Sequence, residues 1–403
     1  MMPTTRSFIS DSDGRRQEKD MKRSVQITYF VIMFVMIIIP VALYSVIGDY
    51  IDMGTADKEN RVLAEKPSLE YTPIIDYPSA FDAYFEDHLP FKDPLVELNN
   101  YLNYEALGTS SSDDVVAGKD GWLFYIGSKS YLENPIKDYN GENLYTEEQL
   151  EQLKANMMGF RDALAEKDCK FVIALAPNKE RVYSDYMPYL CGPPAENDRL
   201  TQVAEYLRAN TDIPVVLMYD DLAAYKESHP DEDIYYRYDT HWNDKGAYIG
   251  ARALERELGN EMPEADTLTM GPGDPVASDL ARFVNLSDLL KDKTFTMHGY
   301  ADPEVEVEHD KGGGNFWGVN EAGNGDDRKL FVIGDSYSTI FYRYLAGCHN
   351  DSRLMVYYIY KRETLDEFDP DIVVLEFVER YVDNMLYFTI DGGFAPPPDP
   401  AGQ

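Results

Sequence analysis

Five short apolar runs, at 171–176, 214–218, 330–333, 354–359 and 372–377, alternate with segments whose apolar residues recur at helical three-four spacing, and no other feature limits the fold as much. Leu150, Leu153, Met157, Phe160 and Leu164 trace one such helix, Leu200, Val203 and Leu207 a second, and residues 245–258 a third. Thr146-Glu147-Glu148-Gln149 opens the first of them as a capping box, in which the Thr oxygen and the Gln side chain satisfy amides that the first turn leaves unpaired. Pro177 closes the strand at 171–176. Strand and helix in turn predict a mostly parallel sheet with helices on both faces, a three-layer α/β/α fold.

The run at 330–333 stops at Gly334-Asp335-Ser336, and 338–345 reads as a helix. In open sheets of this kind the functional crevice lies outside the carboxyl ends of the strands, and the next helix turns free amides toward developing negative charge. Ser336 is therefore a candidate acyl-enzyme nucleophile. Earlier in the chain, Tyr238-Asp239-Thr240-His241-Trp242-Asn243 sets a carboxylate two residues from an imidazole. On an extended or turning segment both leave the same face, so Asp239 can fix the His241 tautomer. Together Ser336, His241 and Asp239 make a Ser-His-Asp acyl-transfer set.

Each of these residues has a plainer reading. Asp335 or Ser336 can simply cap a helix, and Asp239 with His241 can ligate a metal, although no third His or Cys lies at ligand spacing. The backbone amides of Ser336 and Tyr337 are candidate oxyanion donors, with Asn178 at a strand end as a side-chain candidate. Lys179 and Arg181 follow Asn178 at the same sheet edge, as substrate contacts or as a solvated turn. Tyr337 lines the acyl pocket or packs, Trp242 packs against the core rather than stacking a sugar, Asn243 caps the helix at 245–258, and Glu379-Arg380 forms a structural ion pair or supports the site from behind. His88 is a packing residue.

The N-terminal residues 1–24 carry Arg6, Arg15, Arg16, Lys19, Lys22 and Arg23, an almost unbroken apolar run spans 25–47, and Asp49, Asp52 and Asp57 follow. That length crosses a bilayer, and the flanking charges predict a single-pass anchor with a cytoplasmic N-terminus and everything beyond it outside. The rival reading is a cleaved signal peptide, against which stand the length of the run and the lack of a clean small-x-small site. Asp and Glu number 72 against 37 Lys and Arg, so nucleic acid is excluded as a partner and a strongly anionic polymer is disfavoured. Cys169, Cys191 and Cys348 are too few for a disulfide scaffold, and at most one pairing is open.

Residues 48–117 read as a juxtamembrane stalk with short helices at 78–86 and 95–104 and a loop at 110–114. A turn at Gly118-Lys119-Asp120-Gly121 leads into a strand at 122–125 and a catalytic domain over 118–390. Residues 260–329 break the alternation with Gly, Pro and acidic residues, as an insertion or lid. Gly312-Gly313-Gly314 lacks the Gly-Lys-Ser/Thr ending of a phosphate loop. The Pro-rich tail at 391–403 is expected to be disordered.

Several of these segments taken together resemble a known family. They are Asp239-Thr240-His241-Trp242-Asn243, Gly334-Asp335-Ser336-Tyr337-Ser338, Gly118 through Phe124, Glu59-Asn60-Arg61 with Leu63, and Phe85-Glu86-Asp87-His88-Leu89-Pro90-Phe91. In order and distance they are similar to the DHHW proteins, relatives of the alginate O-acetyltransferases AlgJ and AlgX in the SGNH-hydrolase-like superfamily. The resemblance implies an SGNH-like fold with permuted motif order, because Asp-x-His precedes the serine. It also implies an extracytoplasmic enzyme of a bacterial cell membrane that acetylates a polysaccharide through acetyl-serine, with no cofactor or metal. A membrane-bound multi-pass acyltransferase would supply the acetyl group. A carbohydrate acetyl esterase with the same triad and a non-catalytic polysaccharide-binding factor remain open. Alginate itself does not carry over, since so acidic a domain suits an anionic polymer only where a local basic groove exists.

Overall fold

The computed structural model describes residues 25–36, 38, 39, 42, 46, 64–88, 92–127, 133–300, 303–308 and 313–395. The N-terminal tail at 1–24, the Glu59-Asn60-Arg61 motif and the chain after 395 lie outside the described residues, as does part of the expected span at 25–47. The described residues of that span are helical, and among the described residues no helix is long and apolar enough to cross a membrane.

The chain divides into two compact units, Met1–Asn99 and Asn100–Gln403. The first holds α1 (Tyr77–Asp87) and the beginning of α2 (Lys92–Leu107), close to the helices expected at 78–86 and 95–104. Within it the Asp87 carboxylate accepts the Ala64 amide at 2.7 Å. His88 is exposed and stacks on Tyr84 of the helix it follows, with ring centroids 4.2 Å apart.

In the second unit a short hairpin, β1 (Val115–Ala117) and β2 (Leu123–Tyr125), leads through α3 (Pro135–Asn140) into the alternating core. There follow α4 (Glu147–Ala165), β3 (Lys170–Ala176), α5 (Lys179–Val182), α6 (Arg199–Asn210), β4 (Val215–Leu217), α7 (Tyr219–Ser228) and α8 (Asp244–Leu258). Next come β5 (Thr269–Ala277), α9 (Asp279–Phe283), β6 (Lys291–His298), β7 (Glu304–Glu308) and β8 (Asn315–Val319). The unit continues with β9 (Leu330–Gly334), α10 (Ser336–Cys348), β10 (Asp351–Val356), α11 (Arg362–Phe368) and β11 (Ile372–Val378). The capping box of α4 forms in full, with Gln149 N donating to Thr146 Oγ1 at 3.3 Å and Thr146 N to Gln149 Oε1 at 2.9 Å.

The central sheet runs β4-β3-β11-β9-β10-β8-β7. Its first five strands are parallel, and Leu375 of β11 pairs with Ile173 on one side and Ile333 on the other. The strand period of two then sorts side chains onto two cores. Val172, Ala174, Val332 and Val374 pack beneath α8 and α10 on one face, while Phe171, Ile173, Phe331 and Leu375 pack beneath α4 and α6 on the other. Runs that are apolar at nearly every position are what strands covered on both faces require, and the exception here is buried Glu376 of β11.

The sheet is mostly parallel, as expected, and the stretch at 260–329 supplies its antiparallel part. That stretch adds β8 antiparallel to β10, adds β7 outside β8, and folds β5 against β6 as a separate hairpin. β8 carries Asn315 and Gly318 in place of an apolar run, so its pattern hides it. Gly318 is needed for close approach, since a Cβ there would press on Ala346 and Ser352. The three cysteines are free thiols.

Candidate active site

Asp239 and His241 stand at the tip of a tight loop between α7 and α8. Tyr235 and Trp242 form an antiparallel bridge at its base, the Tyr236 amide donates to His241 O at 3.1 Å, and both base aromatics are fully buried. Burial of this pair holds the four residues between Tyr236 and His241 in a turn. Asn243 then caps α8, accepting the amides of Lys245 and Gly246 at 3.0 and 3.1 Å, as its position in the sequence suggests.

Ser336 is the first residue of α10, which begins two residues earlier than the apolar pattern indicates. Asp335 is its cap, and its two oxygens accept the Tyr337 amide at 2.8 Å and the Val378 amide at 2.7 Å. This carboxylate ties the end of β9 to the end of β11 and so sets where the serine points.

The three residues form one hydrogen-bonded line. Asp239 Oδ1 lies 2.6 Å from His241 Nδ1, and His241 Nε2 lies 2.7 Å from Ser336 Oγ. Burial pushes the Asp239 carboxyl up, yet the His241 ring and the amides of Asp279 and His241 outweigh it and hold the group well below the ordinary carboxylate range. Asp239 is thus an anion wherever His241 needs an acceptor. Asp239, His241 and Asp279 offer three possible metal ligands with atoms within 4.8 Å of one another. The 2.6 Å between Asp239 and His241 is a hydrogen-bond separation, however, and an ion would hold its ligands roughly 3 Å or more apart, given metal–ligand bonds of about 2 Å.

Sequence reasoning missed the side chains that hold this loop. Asp279, the first residue of α9, accepts the Thr240 amide at 2.8 Å and the Thr240 hydroxyl at 2.5 Å, and its own amide donates to Asp239 Oδ2 at 2.8 Å. Burial, followed by the nearby Asp239 charge, raises its pKa. Asp292 of β6 accepts the amides of Arg237 and Tyr238 at 2.8 and 3.0 Å. Both come from the stretch expected to be an insertion or lid. The available signal was Ser278-Asp279 standing before an apolar turn, which reads as no more than a helix start.

The remaining expected site residues separate. Lys179 is fully buried, not a substrate contact or a solvated turn. It donates to Asp239 O at 2.6 Å and to the carbonyls of Tyr236 and Arg237 at 3.3 and 3.4 Å, and burial lowers its pKa to about 8. Arg181 is turned away, ion-paired with Asp198 and lying over the Tyr219 ring at 4.6 Å. Tyr337 is buried, with its hydroxyl on Thr240 O at 2.6 Å and its amide spent on Asp335, so that amide does not serve an oxyanion. The Ser336 amide, at the first helical position, has no such partner among the described residues. Asn178 is buried and its Nδ2 has no partner among the described residues. Its neighbour Arg380 reaches Asn178 Oδ1 and Tyr337 OH at 3.5 Å and Thr240 Oγ1 at 3.4 Å, while Glu379 accepts the Asn178 amide at 2.9 Å. Glu379 and Arg380 therefore have separate partners and are not paired with each other, and Arg380 instead supports the residues around the triad loop, the other of the two readings.

A mixed, mostly parallel α/β/α sheet with a serine at a strand-to-helix turn, facing a histidine and a carboxylate, defines an SGNH-hydrolase-like protein. Residues 115–349 match the family described as SGNH hydrolase-like domain, acetyltransferase AlgX, and the chain belongs to that family. A relative in Pseudomonas putida, named "Probable alginate O-acetylase AlgJ", is 26% identical over 286 residues, covering 66% of this chain and 70% of its own. Among solved structures, Bacillus cereus PatB1 with a sulfonyl adduct aligns over 68% of this chain and 99% of its own, at 14% identity and a TM-score of 0.49. A DHHW family protein from Eubacterium siraeum aligns over 69% and 99%, at 15% identity and a TM-score of 0.48.

Proposed function

We propose that the chain is an O-acetyltransferase that moves acetyl groups onto a polysaccharide through an acetyl-Ser336 intermediate. The observation that carries this reading is the continuous hydrogen-bonded line from Asp239 through His241 to Ser336, at 2.6 and 2.7 Å, in a member of an acetyltransferase family.

The Ser336 hydroxyl donates to His241 Nε2. As Oγ attacks the donor's acetyl carbonyl, the proton passes to Nε2, and the Asp239 carboxylate on Nδ1 stabilises the imidazolium. The tetrahedral oxyanion takes the Ser336 amide, with Asn178 Nδ2 as the candidate side-chain donor. The C–O bond to the leaving group then breaks, the leaving oxygen takes the proton from His241, and acetyl-serine remains. In the second half a sugar hydroxyl gives its proton to His241 and attacks the acetyl carbon. The Ser336 ester bond breaks, and the proton returns to Oγ.

Delivery of acetyl by a multi-pass membrane acyltransferase, and anchoring of the chain at an outer membrane face by residues 25–47, belong to the same proposal. They rest on the family and on the flanking charges of the apolar run.

The test is intact mass of the full chain after p-nitrophenyl acetate, for wild type and Ser336→Ala, followed by oligosaccharide addition. One acetyl adduct confined to wild type and discharged onto sugar supports transfer. Discharge to water regardless of sugar supports an esterase, and no adduct at all supports a binding protein.

A further inference from the structure

The sheet order sets three strand ends side by side. β3 and β9 flank β11, with Ala176 opposite Val378 and Ile333 opposite Leu375. Asn178 lies two residues past the end of β3, Ser336 two past the end of β9, and Arg380 two past the end of β11 between them. With neighbouring strands about 4.8 Å apart, Asn178 and Ser336 leave the sheet roughly 10 Å from each other, wide enough to take an acyl group between their side chains.

Arg380 is buried, and its guanidinium touches every part of the site. It reaches Asn178 Oδ1 and Tyr337 OH at 3.5 Å and Thr240 Oγ1 at 3.4 Å, and it lies over the rings of Tyr337 and Tyr381 at 5.1 and 5.2 Å. Those three oxygens are neutral, and the neighbouring Asp335 carboxylate is spent on the amides of Tyr337 and Val378. A cation buried among neutral partners keeps its field for charge that forms beside it.

A guanidinium has donors only, so the Asn178 atom that faces it is the amide oxygen, and Nδ2 points away. Glu379 accepts the Asn178 backbone amide at 2.9 Å, so two consecutive residues after β11 grip the main chain and the side chain of Asn178. Asn178 Nδ2 is buried and has no partner among the described residues. A buried donor left open is rare, and an oxygen of a bound ligand is a natural partner for it.

We propose that Arg380 is the positioning residue of the oxyanion site. It sets the Asn178 amide with Nδ2 toward the acyl oxygen and, through Thr240 and Tyr337, holds that donor in register with His241 and Ser336. The role rests on the acyl-serine reading, and the outcomes below keep the two apart.

The test is a double-mutant cycle on the full chain, with the p-nitrophenol burst and intact mass read for wild type, Asn178→Ala, Arg380→Met and the pair. Loss of one oxyanion donor costs about 10²-fold, so Asn178→Ala should slow the burst by about that factor. Arg380→Met should slow it by about tenfold or more in the wild-type background and by less than about threefold beside Asn178→Ala, where no side-chain amide is left to set. The ester concentration that gives half the maximal burst rate should hold throughout, because the lost contact belongs to the transition state. A merely structural role would slow both backgrounds equally, and that result overturns the proposal. Arg380→Lys keeps the charge and a long stem, so it should fold even where the Met variant does not. It lacks the planar fork that serves three oxygens, so a loss of about tenfold is expected, and a wild-type burst in the Lys variant also overturns the proposal. An acetyl adduct on wild type with an unaltered burst in Arg380→Met sinks the role of Arg380 alone. No adduct on wild type sinks the acyl-serine reading and this role with it.

Discussion

At the scale of single residues, the site depends on a hydroxyl and on the carboxylate that steadies its base. Ser336→Ala removes one partly exposed oxygen and little packing, so the fold should persist while acetyl-enzyme formation falls by about 10³-fold or more, read by intact mass and p-nitrophenol release. Among its hydrogen-bond and charge partners Asp279 counts Thr240, Asp239 and, at 3.9 Å, His241, but not Ser336. It positions His241 by holding the amide and the hydroxyl of Thr240 and by donating its amide to Asp239. Asp279→Asn weakens that grip, and loss of near-attack geometry of this kind costs about 10²-fold. The loss should appear in the p-nitrophenol burst rate, with the KM for acceptor little changed. A KM that rises while the burst rate holds would make Asp279 a binding residue instead.

At the scale of elements, the strand-to-helix turn at Gly334 is the tightest joint in the site. A Cβ at this position would overlap Ser338 Oγ and Glu376 Oε2, both well inside van der Waals distance, and these two groups hydrogen-bond each other beneath the helix. Gly334→Ala should cost about 1–3 kcal/mol, as overpacking in a dense core does, and should lower the thermal midpoint. An unaltered midpoint would mean that α10 shifts freely, which its cap on Asp335 argues against. The hairpin of β5 and β6 is the second element that matters, because Asp292 fastens it to the triad loop.

At the scale of the whole molecule, several carboxyls lie buried behind the site, and burial raises Glu379 from 4.5 to about 7. The folded chain therefore keeps a proton on Glu379 over a range in which the unfolded chain has lost it. The resulting stabilisation is complete below about pH 4.5 and is lost as pH rises through about 7. Thermal midpoints measured across pH 4 to 8 should fall through this window in wild type and fall less steeply in Glu379→Gln. Parallel slopes in the two proteins would remove Glu379 as the source.

The sequence by itself determined the five parallel strands, the helices around them and the triad candidates, because each of these is written locally. Strands covered on both faces are apolar at nearly every position, helices repeat at three-four spacing, and Asp-x-His and Gly-Asp-Ser keep their chemistry within a few residues. Only the tertiary structure decided that Ser336 and His241 meet at 2.7 Å, that Lys179 faces the interior and Arg181 turns away, and that Asp279 and Asp292 brace the loop from an apparent insertion. A carboxylate that accepts amides far along the chain leaves no periodic trace. Its role comes from which backbone groups the fold brings to it, and a charged residue after a strand reads the same whether it ends in solvent or beneath a loop.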